Sequence, residues 1–351
     1  MKWISLISLL LTSQITFANV INDSDLSTPI MLPLVASPDL KVDTIDRYPI
    51  RRNAVAFKAV IVQDDKETEI KGLSFNLTLN SNVSANGVES IQTACETGDE
   101  TYIATAKLKL EKFQINGPRS RRYNLKVEGK CGEGLKLIFK YNSLAGQFFG
   151  IWNLASKITH KFKAIGRNDF LRGKMGIIYP ASGDYYNGRV NVTQGYQWDV
   201  VGHEIGHSIY SESRIGRSQG GRHRIDECYT KTLAFSEGWA SFFSAWVSVD
   251  LNDPDAKFRY MVQRRAPLEI EHVPADVCYG PTNEWRVYSF LWDLIDLNND
   301  NENVNISFLD LWDLSIEKKF RSITEYKDEL LDSGFDPVLI NVVWDQNILG
   351  F

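Results

Sequence analysis

His203-Glu204-Ile205-Gly206-His207 sets two imidazoles four residues apart, with a carboxylate directly after the first. On an α-helix that spacing stacks both rings on one face, one turn apart, so one metal ion is within reach of both. Neutral imidazole is a good Zn²⁺ ligand. Glu204 is too near His203 along the helix to share the ion comfortably, but it is placed to take the proton of a water beside it. That is the general-base logic of H-E-x-x-H. The plain alternative is a surface helix with an ordinary i, i+4 His pair. Val200, Val201 and Ile205 make one side of the helix apolar, and Gly202 and Gly206 permit close packing. A helix buried that way does not usually carry two His and a Glu without partners.

Structural zinc sites are closed by four protein ligands, whereas a catalytic site keeps a position for water. A third ligand is therefore needed nearby. Glu237 follows His207 by 30 residues and enters the apolar, aromatic run Trp239 to Val249. A carboxylate there is costly unless something positive meets it, and Zn²⁺ would do so. The competing reading makes Glu237 a first-turn acid favoured by the helix dipole.

With Glu237-Gly238-Trp239 in place, the set resembles the gluzincin zinc metallopeptidases, and is similar in particular to their fungalysin-like secreted branches. Asn283 to Leu294 resembles the helix that follows in that group. The resemblance spans about residues 144–296. It implies one catalytic Zn²⁺ held by His203, His207 and Glu237, and a peptide or protein substrate cleaved with Glu204 as general base. It also implies an edge strand at Arg189–Thr193 that pairs with the substrate backbone.

One part of that pattern is missing. The thermolysin-like arrangement has a His on the helix after the third ligand, where it donates to the oxyanion, and no His lies beyond His272 here. Arg286 and Tyr288 are the substitutes, counted with Glu204 as catalytic candidates, with a structural role the equal alternative for each. Glu284 is placed to orient a ligand His or bind Arg286, and Asp199 is a further supporting candidate. His223 is read as a surface imidazole ahead of an oxyanion donor. His272 has no partner spacing.

The elements around these residues follow from the pattern. At 351 residues, two domains are expected. A net charge of −5 excludes a bulk basic surface for nucleic acid. Met1-Lys2 followed by apolar Trp3–Leu11 reads as a signal peptide over 1–18, and no later stretch is long enough for a membrane span. Residues 19–48, with three prolines, read as a linker. Four cysteines in an exported chain suggest two disulfides, and pairing Cys95 with Cys131 and Cys228 with Cys278 is the simplest of three connectivities.

From 49 to 141 the period is two: Leu73, Phe75, Leu77 and Leu79; Ala104, Ala106, Leu108 and Leu110; Tyr123, Leu125 and Val127. With turns at Asn86-Gly87 and Asn116-Gly117-Pro118, this reads as a β-sandwich. Asn142–Lys161 then switches to a helical period. Thr282–Leu297 reads as a helix with Asp293 and Asp296 outward. After it, Asp296, Asn298, Asp300 and Glu302 offer oxygens at alternate positions, as a Ca²⁺ loop would. Asn301 stands in place of the usual Gly, and Ser307 in place of the bidentate Glu, so a solvated polar loop is the stronger reading. Ile306–Phe351 reads as three short helices. The expected fold is α+β: a β-sandwich followed at 142–351 by a gluzincin-like zinc peptidase domain, small in sheet and mostly helical, secreted or periplasmic. The rival reading is a non-catalytic secreted binding or adhesion protein on the same fold.

Overall fold

The computed structural model describes residues 39–350, apart from 53, 80–82, 89, 93–94, 96–99, 218 and 299–302. The expected signal peptide and most of the expected linker lie outside the described residues. The fold is mixed α+β.

Two sheets form the first part. One holds β1 (Thr44–Pro49), β10 (Glu133–Lys140), β2 (Ala54–Gln63) and β3 (Lys66–Glu69) in that order, with β6 (Ser90–Gln92) also pairing β2. The other holds β5 (Val83–Val88), β4 (Ser74–Leu79), β7 (Thr101–Lys107) and β9 (Lys126–Lys130). Alternation explains the faces: Phe75, Leu77 and Leu79 are buried, while Asn76 and Thr78 between them are not. Phe57 of β2 stacks on Phe75 of β4 at 4.4 Å and meets Tyr102 of β7 edge-on. The two inner faces therefore share one core, as in a sandwich. The Cys95–Cys131 disulfide ties into it.

Several boundaries differ from the sequence reading. Thr44–Pro49, all but its last residue inside the expected linker, pairs antiparallel with β10. Asn86-Gly87, expected as a turn, lies within β5 opposite Asn76 and Phe75. Strand β7 ends at Lys107, so Leu108 and Leu110 fall beyond it. Strand β8 (Phe113–Asn116) leaves the sandwich and pairs in parallel with β11 (Met175–Ile178). The third sheet is thus β12 (Tyr185–Tyr186), β13 (Val190–Asn191), β11, β8. Here β13 has neighbours on both sides, so the expected edge strand at Arg189–Thr193 is an inner one and β12 holds the edge. Strands β14 (Lys257–Phe258) and β15 (Leu268–Glu269) form a separate hairpin.

Helices make the rest. α1 (Leu144–Ala164) is capped by Ser143 and buries Phe148, Ile151, Trp152, Ala155 and Ile158, the face its period predicts. α2 (Trp198–Glu212) and α3 (Lys231–Ser248) cross closely. A Cβ at Gly202 would meet the Ser244 Oγ at 2.4 Å, and one at Gly206 the Ala240 carbonyl oxygen at 2.9 Å. α4 (Glu284–Asp293) packs on α3, where Gly238 leaves room for Val287.

Asp293 and Asp296, expected outward, are buried, because Asn347 Nδ2 donates to Asp293 and the Asn298 N–H to Asp296. Asp300 and Glu302 of the suggested Ca²⁺ loop lie outside the described residues. α5 (Phe308–Ser315), α6 (Ile323–Asp332) and α7 (Pro337–Trp344) close the chain as three short helices. No helix among the described residues is long and apolar enough to cross a membrane.

Candidate metal centre

Glu237 lies in the middle of α3, not in its first turn, so the helix dipole does not account for it. The α2–α3 crossing instead brings it to the two rings of α2. Glu237 Oε2 stands 2.9 Å from His207 Nε2 and 3.2 Å from His203 Nε2, and the two nitrogens are 3.0 Å apart. All three side chains are buried. Zn–N and Zn–O bonds of about 2.0–2.1 Å put tetrahedral ligand atoms roughly 3.3 Å apart. The three atoms fit such an ion.

The outer contact of His203 agrees, whereas His207 Nδ1 is buried with no partner among the described residues. His203 Nδ1 lies 3.0 Å from Ser241 Oγ, whose proton goes to Met261 Sδ at 3.8 Å. A serine donating to sulfur must accept from the ring, so Nδ1 carries the proton and Nε2 turns a lone pair to the convergence point. Burial and the charge of His207 hold the His203 pKa down. Burial works against ionisation of Glu237, yet His207 and His203 outweigh it and keep that carboxyl well below its ordinary range.

Glu204 points elsewhere. Both its oxygens are buried with no hydrogen-bond partner among the described residues. They face a cavity of about 50 Å³, walled by Val200, Ile225, Met261 and Val262, with His203, His223, Asp184 and Glu284 also on its lining. Burial raises the Glu204 pKa to about 8. An orphaned buried carboxylate is costly unless a ligand supplies a donor, and the cavity has room for a water that would do so.

His223 is not on the surface. Its side chain is 7% exposed and its Nε2 lies 3.1 Å from Glu284 Oε2 and 3.8 Å from Glu237 Oε2. Nδ1 donates to the Gly221 carbonyl. Burial alone would lower the ring's pKa, but the Glu284 and Glu237 carboxylates lift it to about 11. The Cys228–Cys278 disulfide, the second of the expected pairs, joins the loop of His223 to the approach of α4, which carries Glu284. Glu284 therefore orients His223, while the Arg286 guanidinium goes to backbone carbonyls instead.

Arg286 and Tyr288 are not brought to the cavity. The Arg286 guanidinium donates to the carbonyls of Cys278, Val277 and Asn347 and lies over the Tyr279 ring. The Tyr288 hydroxyl donates to the Glu269 carbonyl at 3.0 Å. Both hold α4 in place. Asp199, buried one turn before His203, accepts the backbone N–H groups of Val200, Tyr260 and Met261. His272 is exposed.

Sequence reasoning missed Ser241 and underweighted His223. The signals for His223 were the scarcity of histidine, 5 in the chain, and the cysteine that follows it five residues on.

No curated protein matches the chain. Residues 181–329, which carry every side chain of this centre, match the family model of the mycolysin C-terminal domain, and that match supports a metallopeptidase family.

Proposed function

We propose that the chain is a secreted zinc-dependent peptidase. The observation that carries this reading is the convergence of His203 Nε2, His207 Nε2 and Glu237 Oε2 within 3.2 Å of one another, beside a carboxylate that takes no part in it. Those three side chains would hold one zinc ion, which would lower the pKa of a bound water towards roughly 7 and polarise a carbonyl.

Glu204 then accepts the proton of the attacking water and returns it to the leaving amine nitrogen. Its site suits both steps, since no donor among the described residues competes for its oxygens. His203 is kept in the required tautomer by Ser241. The tetrahedral oxygen needs a second positive partner, worth about 3 kcal/mol in comparable sites. His223 is the candidate, since no Lys or Arg lines the cavity. Its ring is held by Glu284 and the Gly221 carbonyl until substrate enters. The substrate backbone would run along β12, the free edge beside Asp184. Secretion rests on the expected leader and the two disulfides.

The test is hydrolysis of casein and a fluorogenic peptide by the zinc-loaded chain and by Glu204→Gln. Loss of about 10²–10⁴ in rate with zinc retained is expected from removing the base. Equal rates in the two proteins would refute the mechanism, and no hydrolysis by the intact chain would favour a binding role.

A further inference from the structure

The proposed chemistry leaves the β-sandwich without a role, yet one of its hairpins bonds Tyr260, the residue next to the cavity wall. Met261 and Val262 form part of that wall. Their segment is held from three sides. Asp199 accepts the Tyr260 N–H at 2.6 Å and the Met261 N–H at 3.1 Å. Ser241, already bound to His203, donates to Met261 Sδ. From the sandwich, Gln63 at the end of β2 donates through Nε2 to the Tyr260 hydroxyl at 3.1 Å. The Tyr260 ring also meets Tyr196 edge-on.

The wall does not hold this shape by itself. Val262 sits at φ 51°, a left-handed conformation that is unfavourable for a β-branched side chain. Its carbonyl is pinned by the N–H groups of Arg265 and Ala266. The turn after Gln63 is made by Asp64 and Asp65, both at positive φ, as the two-residue hairpin turn requires. Asp64 also faces Arg259 at 3.8 Å, but that pair is exposed and contributes little. The Gln63–Tyr260 contact is the stronger tie.

We infer that the β2–β3 hairpin is a positioning element of the cavity: by fixing Tyr260 it sets where Met261 and Val262 stand, and so acts on peptide binding and not on the bond-breaking step. The part concerning binding rests on the peptidase reading. Gln63 and Tyr260 are positioning residues, since neither lines the cavity.

The experiment compares Gln63→Ala, Tyr260→Phe and the double variant in the full zinc-loaded chain, with Gln63→Glu as the conservative form. Hydrogen exchange is read over 259–262, together with KM and kcat on the fluorogenic peptide. Loss of one hydrogen bond of about 1 kcal/mol predicts roughly fivefold faster exchange at the Tyr260 and Met261 amides in each single variant. KM should rise by a similar factor, with kcat within about twofold and zinc content unchanged. The double variant should match the singles, because all three lose the same contact, and Gln63→Glu, which accepts from the tyrosine hydroxyl, should recover most of the protection. Unchanged exchange over 259–262 in the single variants would overturn the inference, as would effects that multiply in the double variant. If the intact chain hydrolyses no peptide, the peptidase reading fails separately and the exchange measurement still decides the positioning claim.

Discussion

Glu204 has two buried oxygens that no donor among the described residues reaches, which is a poor arrangement for stability and a good one for catalysis. Glu204→Leu should therefore raise the urea unfolding free energy of the metal-free chain by about 1–3 kcal/mol, the penalty of an unsatisfied buried polar group, and should abolish hydrolysis by the zinc-loaded chain. A lower midpoint for that variant would mean the carboxylate has a structural partner. At this scale the sequence was informative where chemistry is local. His203, Glu204 and His207 share one helical turn, so their spacing alone sets their relative directions. The approach of Glu237 to the two histidine rings was reachable because a carboxylate in an aromatic run needs a positive or donating partner. For Arg286 and Tyr288 the choice between a catalytic and a structural place was not legible, because helical spacing does not say which face meets the cavity. Three backbone carbonyls claim the guanidinium, and a fourth claims the phenol.

The elements bring the site together through their small residues and their loops. Gly206 faces the Ala240 backbone, and any larger side chain forces α2 from α3. Gly206→Val should cost about 1–3 kcal/mol or more by overpacking, and should weaken zinc binding with His203, His207 and Glu237 all unaltered. Wild-type zinc affinity in this variant would contradict the close crossing.

The loop of His223 is tied down by Asp226, which accepts from Arg264 and Arg265. The Arg264 hydrogen bond, followed by that of Arg265, holds the Asp226 carboxyl well below its ordinary pKa. Its folded value is thus below its unfolded one, so its contribution to stability is full above about pH 4 and is lost as the pH falls further. Asp226→Asn should be less stable than wild type at pH 7, and the gap should close on acidification in parallel denaturation curves. A gap independent of pH would show that charge is not its source. The helix period of α1 and the alternation of β4 were legible, because each element buries its own face. The partner of β8 was not, since a strand sequence carries no record of the sheet it joins. The depth of Asp293 and Asp296 was hidden for a similar reason: their partners lie 54 residues away in Asn347 or in a following loop.

At the scale of the molecule, the order of parts was readable and their joints were not. A period of two giving way to a period of 3.6 marked the change from sandwich to helices near residue 142, and the two disulfides fall one on each side of it. Yet β8 crosses that line in one direction and the β2–β3 hairpin reaches across it in the other. The Cys228–Cys278 bridge closes a separation of 50 residues around α3, so the Cys228→Ser, Cys278→Ser pair of changes should cost roughly 2–4 kcal/mol and loosen His223 against Glu284.

Three side chains from two crossing helices converge where one zinc ion would bind. Metal analysis of the purified chain after dialysis against zinc, alongside Glu237→Ala and Glu204→Gln, tests this most directly. One zinc per chain is predicted for the intact protein and for Glu204→Gln, with loss from Glu237→Ala. A chain that takes up no zinc, or a Glu237→Ala variant that holds it as tightly as wild type, would contradict the metal centre described here.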